Sequence, residues 1–100
     1  MLSIDAYELQ NKILSKEDIV LVDVREQSEH DEFNIGGLLI PMNTIFDNLS
    51  KIDPNKQVVI YCQKGIRSQI VIQRLEQKGG FTNLVNLQGG MEGWIKSIKK

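Results

Sequence analysis

The sequence holds a single cysteine, Cys62, and a single histidine, His30. A lone cysteine closes no intramolecular disulfide and has no resolving thiol beside it. One Cys and one His also exclude, by count, a zinc site built from several such ligands. Neither sign of charge dominates: 12 Lys and Arg stand against 13 Asp and Glu, for a formal charge of −1. That balance excludes a strongly basic nucleic-acid binder and an acidic disordered tail. Apolar runs last only a few residues, so no membrane-spanning helix is expected. The opening M-L-S-I-D-A-Y-E has neither the basic nor the apolar region of a secretory leader. Read as written the chain is cytoplasmic, although a secreted protein already stripped of its leader would look the same. Repeats, low-complexity tracts and linkers are missing too. Residues 1–100 are therefore expected to form one domain, with about 60–65% of the unfolded surface buried and marginal stability.

What is present is an alternation of strand and helix, which predicts an α/β domain with a largely parallel sheet. Ser3 reads as an N-cap for a helix over roughly residues 4–14, with Ala6, Leu9 and Ile13 on one face. I19-V-L-V-D-V24 is the near-continuous β-branched run of a strand buried on both faces. Ser28 is expected to cap a short acidic helical turn over 29–33, and L38-L-I40 to form a short strand stopped by Pro41. A helix is predicted from Asn43, with Ile45, Phe46, Leu49 and Ile52 on one face, then a turn at D53-P-N-K56. V58-V-I-Y61 is a second clear strand. Ser68 begins a helix with Val71, Ile72 and Leu75 inward, ended by a left-handed cap at Gly79-Gly80. L84-V-N-L87 is a last strand, followed by a Gly89-Gly90 turn and a closing helix over 91–98. Met91 and Trp94 read as core anchors of that helix, and the K96-S-I-K-K100 cluster as its solvated end.

Cys62 follows a strand directly, and ligands of open α/β sheets sit beyond the carboxyl ends of strands. The polar segment C62-Q-K-G-I-R67 and the helix after it would aim backbone N–H groups and a helix N-terminus at the sulfur. Such a nest favours the thiolate, the nucleophilic form. Lys64 and Arg67 add two cations able to steady a thiolate and attract an anion. Gly65 permits a tight turn, and Ser68 can offer its hydroxyl. A lone cysteine is most often a small buried hydrophobe, but this surrounding is that of an anion cradle. A cysteine phosphatase cradle needs five residues between Cys and Arg, whereas only four separate Cys62 from Arg67. The ring suits one extra sulfur, as in a persulfide Cys–S–S⁻, better than a phosphate. Loop length and the lack of a second thiol also argue against an arsenate reductase.

Three motifs then resemble a known family, the single-domain rhodaneses. V22-D-V-R-E26 resembles its D-V-R-E segment, C62-Q-K-G-I-R67 with Ser68 after it resembles its six-residue active loop, and L87-Q-G-G-M-E-G-W94 its C-terminal L-x-G-G-x-x-x-W signature. The similarity runs from about residue 3 to 98. It implies a three-layer α/β/α fold with a five-stranded, mainly parallel sheet. It also implies sulfur transfer by double displacement, with Cys62 as the nucleophile and the amides of Gln63, Lys64, Gly65, Ile66, Arg67 and Ser68 around the persulfide. Lys64 and Arg67 would assist electrostatically. The donor would be a small anion such as thiosulfate, or a protein persulfide such as that of a desulfurase. The acceptor would be cyanide, a thiol or a sulfur-carrier protein. No cofactor or metal is implied, and neither a nucleic-acid nor a membrane partner. In F33-N-I-G-G-L38, Asn34 stands where the family usually has His, and Leu38 where it has Ala. The loop also resembles the rhodanese domain of some ubiquitin-like-protein adenylyltransferases, which pass sulfur toward molybdopterin or thiamine. A non-catalytic binding module of the same fold is the other alternative, and the intact Cys62, Lys64 and Arg67 argue against it.

Two further groups fall near the site. Asp23 is expected to accept loop N–H groups, and Arg25 to pair with an acid such as Glu26 or Glu29, both supporting the site without touching substrate. His30, among carboxylates on a short surface helix, is read as a surface residue and not as a base.

Overall fold

The computed structural model describes residues 1–99. Its centre is one five-stranded sheet in the order β1-β5-β4-β2-β3, parallel throughout. The strands are β1 (Leu2–Ile4), β2 (Ile19–Asp23), β3 (Leu38–Leu39), β4 (Gln57–Tyr61) and β5 (Leu84–Leu87). Helices α1 (Ala6–Leu14), α2 (Gln27–Glu32), α3 (Arg67–Lys78) and α4 (Gly90–Trp94) connect or follow them.

Strand alternation divides the core into two layers. Val58, Ile60 and Cys62 point to one face, where Val71, Ile72 and Leu75 of α3 and Ile45 and Ile52 cover them. Val59 and Tyr61 point to the other, against Ala6 and Leu9 of α1 and Met91 and Trp94 of α4. Met91 and Trp94 are thus the core anchors expected. Parallel strands buried on both faces account for the near-continuous apolar runs.

Several boundaries differ from expectation. Ser3 lies inside β1, and Asp5 is the true N-cap, accepting the Glu8 N–H at 2.9 Å. The α2 cap is Glu26, not Ser28, and its N–H donates to the Glu29 carboxylate at 3.0 Å. The helix expected from Asn43 is two 3-10 turns, Met42–Asp47 and Leu49–Lys51. After α3, Gly79 stays right-handed and the left-handed residue is Gly80, φ 71°. The closing helix continues α4 as a π turn over Ile95–Lys99, with Lys96 exposed and Lys100 outside the described residues.

The topology fixes where a ligand can sit. The chain leaves β2 toward β3 at one edge, and leaves β4 toward β5 on the opposite side. The carboxyl ends of β2 and β4 therefore flank the switch point of the sheet, where a crevice opens. Among the described residues no helix is long and apolar enough to cross a membrane.

Candidate active site

Cys62 is the first residue beyond β4, buried, with its sulfur at the floor of a cleft of about 370 Å³. Glu29, Cys62, Gln63, Lys64, Ile66 and Arg67 line this cleft. The Gly65 N–H donates to Sγ at 3.1 Å and the Ser68 N–H at 3.3 Å. Among the described residues these are the two loop amides that reach the sulfur. Ser68 lies in the first turn of α3, so the positive end of that helix also faces Sγ. The Cys62 thiol donates to Ser68 Oγ at 3.4 Å, while the Ser68 hydroxyl gives its own proton to Asn86 Oδ1 in a short hydrogen bond.

The loop is turned inward by what lies beneath it. The first N–H groups of α4 take the loop's carbonyls: Met91 N–H donates to the Cys62 carbonyl and Glu92 N–H to that of Gln63, both at 2.9 Å. With its carbonyls drawn down, the loop leaves its amides for the sulfur. The close approach needs bare backbone. A Cβ on Gly90 would overlap the Cys62 carbonyl oxygen and lie 2.7 Å from that of Gln63. Gly65, at φ 89°, turns the loop over Gly89 in a conformation side-chain-bearing residues rarely adopt. The C-terminal glycine motif is therefore the seat of the cysteine loop.

A second support comes from β2. Asp23 is fully buried and accepts the Arg25 N–H at 2.9 Å. The Arg25 guanidinium bonds back to Asp23 at 2.9–3.2 Å, reaches the Phe33 carbonyl at 2.6 Å, and donates to Gln63 Oε1 at 3.0 Å. The acid paired with Arg25 is thus Asp23, and not Glu26 or Glu29 as expected, because the side chain folds back along its own strand end. Gln63, expected to present its amide to the sulfur, ties the loop to this pair through its side chain.

Glu29, assigned only a structural part by the sequence, instead belongs to the cleft. It binds Arg67 through two hydrogen bonds of 2.9 Å. That guanidinium holds the Glu29 carboxyl down at about 2, against an ordinary 4.5. Arg67 is accordingly not the free cation expected of it; among the described residues Lys64, which is exposed, makes no ion pair. His30 is more buried than expected, with Nδ1 2.8 Å from Asp23 Oδ2, and it does not line the cleft. Asn34 donates to the His30 carbonyl at 2.9 Å and accepts the Gly36 N–H at 2.8 Å, closing the end of α2. Leu38 is half-exposed, so its size disturbs nothing. Two participants were missed from sequence. Glu29 hid in an acidic run, although its spacing from Glu26 marks a cap. Asn86 hid as the one polar residue of a buried strand, which is itself a signal.

A parallel five-stranded sheet with a thiol held by loop amides at its switch point defines a class of α/β proteins that work through an activated cysteine. Residues 5–97 match the model of the rhodanese-like domain, and the chain belongs to that family. It is 38% identical to the thiosulfate sulfurtransferase GlpE of Coxiella burnetii over 91% of this chain and 81% of that protein. It is 35% identical to the probable adenylyltransferase/sulfurtransferase MoeZ of Mycobacterium tuberculosis over 92% of this chain and 24% of that longer protein. The crystal structure of a rhodanese-like domain protein from Staphylococcus aureus superposes with a TM-score of 0.86 at 40% identity, covering 94% of this chain and 91% of that one. Rhodanese-type sulfurtransferase is the enzyme class to which the chain belongs.

Proposed function

We propose that the protein moves a sulfane sulfur through a persulfide on Cys62. The observation that carries this reading is the pair of N–H groups, from Gly65 and Ser68, directed at a sulfur on the floor of an open cleft. Both donors favour an anionic sulfur. With thiosulfate as donor, the Cys62 thiolate attacks the outer sulfur and the S–S bond of thiosulfate breaks. Sulfite leaves with the bonding pair, and Cys–S–S⁻ remains. A thiolate, of a small molecule or of a protein, or cyanide then attacks the terminal sulfur and returns Cys62 as thiolate. A protein persulfide can replace thiosulfate in the first step. Gln63, Lys64, Gly65, Ile66, Arg67 and Ser68 surround the added sulfur in this scheme, while Asp23 and Arg25 hold the loop. A reducing compartment such as the cytoplasm fits a reaction that needs Cys62 as a free thiol. Similarity to MoeZ supports a second reading, in which the acceptor belongs to a sulfur-carrier system.

The test is intact mass after incubation with thiosulfate, or with a persulfidated cysteine desulfurase. The expected result is a gain of one sulfur, about 32 Da, reversed by a thiol reductant and absent from Cys62→Ser. Sulfur transfer retained by Cys62→Ser would sink the mechanism.

A further inference from the structure

The cleft contains a carboxylate that sulfur transfer does not use. Its charged lining consists of Glu29, Lys64 and Arg67. Glu29 takes both outer nitrogens of Arg67, at 2.9 Å each, and so cancels that cation for any incoming ligand. With Cys62 as thiolate, two positive and two negative groups face the cleft. Among the described residues, a dianion entering it finds one uncommitted cation, Lys64, and meets Glu29 and the thiolate as like charges. Ile66, 62% exposed at the mouth, offers an apolar surface that an inorganic anion cannot use.

We infer that Glu29 is a specificity-determining residue that turns the cleft away from small inorganic dianions and toward organic persulfide donors bearing one negative charge. The inference rests on the Cys62 persulfide reading and refines its donor. A monoanionic R–S–S⁻ matches Lys64, and its organic group meets Ile66. In the transfer the Cys62 thiolate attacks the terminal sulfur, the donor's S–S bond breaks, and R–S⁻ departs with the electron pair. Atoms and charge balance, and no oxidant or reductant is consumed.

The experiment measures kcat/KM for Cys62 persulfide formation from thiosulfate and from 2-hydroxyethyl persulfide, in the wild type, Glu29→Gln and the double variant Glu29→Gln/Arg67→Gln. Glu29→Gln frees the guanidinium. The ratio of thiosulfate to alkyl persulfide is expected to rise by about fivefold or more at low salt, with the gain shrinking as salt screens it. The double variant restores the wild-type charge sum, and its ratio is expected to fall back toward the wild-type value. An unchanged ratio in Glu29→Gln overturns the inference, as does a ratio that stays high in the double variant. If Glu29→Gln fails to fold, the double variant and Arg67→Gln carry the test. Arg67→Gln leaves Glu29 unopposed and should lower the ratio, and an unchanged ratio there counts against the inference. Absence of persulfide from both donors in the wild type overturns the Cys62 reading itself. That outcome is distinct from a persulfide that forms with no donor preference set by Glu29.

Discussion

Gly90 joins two motifs that lie 28 residues apart in sequence, Cys62 and the C-terminal double glycine. Its missing side chain lets α4 press its first N–H groups onto the carbonyls of Cys62 and Gln63. Gly90→Ala would push backbone against backbone, with no flexible side chain to yield. We expect it to cost about 2–3 kcal/mol and to impair sulfur transfer more than that loss of stability explains. Urea denaturation and persulfide formation, measured on one preparation, separate the two effects. Asp23 is the other residue on which the loop depends. Asp23→Asn leaves the Arg25 guanidinium buried without its counter-charge, which costs about 3 kcal/mol when a buried pair loses one partner. Lys64 differs from both, being exposed and, among the described residues, in no ion pair. Lys64→Ala is expected to leave the urea midpoint unchanged and to raise KM for thiosulfate roughly threefold to tenfold at low salt. Cys62, Lys64 and Gly65 were legible as residues of the candidate site because their chemistry is local to one loop. The partners of Arg25 and Arg67 were not, because a long side chain chooses among acids by three-dimensional reach. Asp23, Glu26 and Glu29 all lay within its sequence neighbourhood.

At the scale of the element, legibility followed burial. The runs at β4 and β5 are buried on both faces, that at β2 is half-buried at its start and buried at its end, and all three read directly as strands. β1 did not, because it is three residues long with one buried side chain, and its strand state comes from pairing with β5. No local pattern encodes that pairing. The segment after β3 has apolar spacing that suits a helix, yet it winds as two 3-10 turns. Asn48 breaks it, in a conformation with φ −129° outside both turns. The start of α1 is set by the Asp5 cap, whose carboxylate takes the Glu8 N–H, while Glu8 reaches back to the Asp5 N–H at 3.5 Å. Asp5→Ala is expected to lower stability by about 1 kcal/mol and to leave sulfur transfer intact, because α1 lies on the face of the sheet opposite Cys62. Thermal unfolding alongside the persulfide assay checks both halves of that statement.

The whole molecule carries a pH signature at each end of the scale, and the two ends arise on different elements. Arg67 holds the Glu29 carboxyl at about 2, below its ordinary 4.5. A depressed acid stabilises the fold fully above 4.5, and that contribution disappears as pH falls from there through about 2. Tyr61 is the reverse case. Burial, chiefly, and the nearby Asp23 charge push its hydroxyl up to about 12 from 10. A raised phenol favours the fold below 10 and loses its contribution as pH climbs from there through about 12. The urea midpoint should therefore fall on both flanks, and each flank should answer to its own variant. Glu29→Gln should flatten the wild-type dependence between pH 4.5 and 2 while leaving the alkaline flank alone. Tyr61→Phe should flatten it between pH 10 and 12 and leave the acid flank alone, at the cost of the hydroxyl that accepts the Gly37 N–H at 3.3 Å. Identical slopes in wild type and variant on the assigned flank would show that other groups govern that limb.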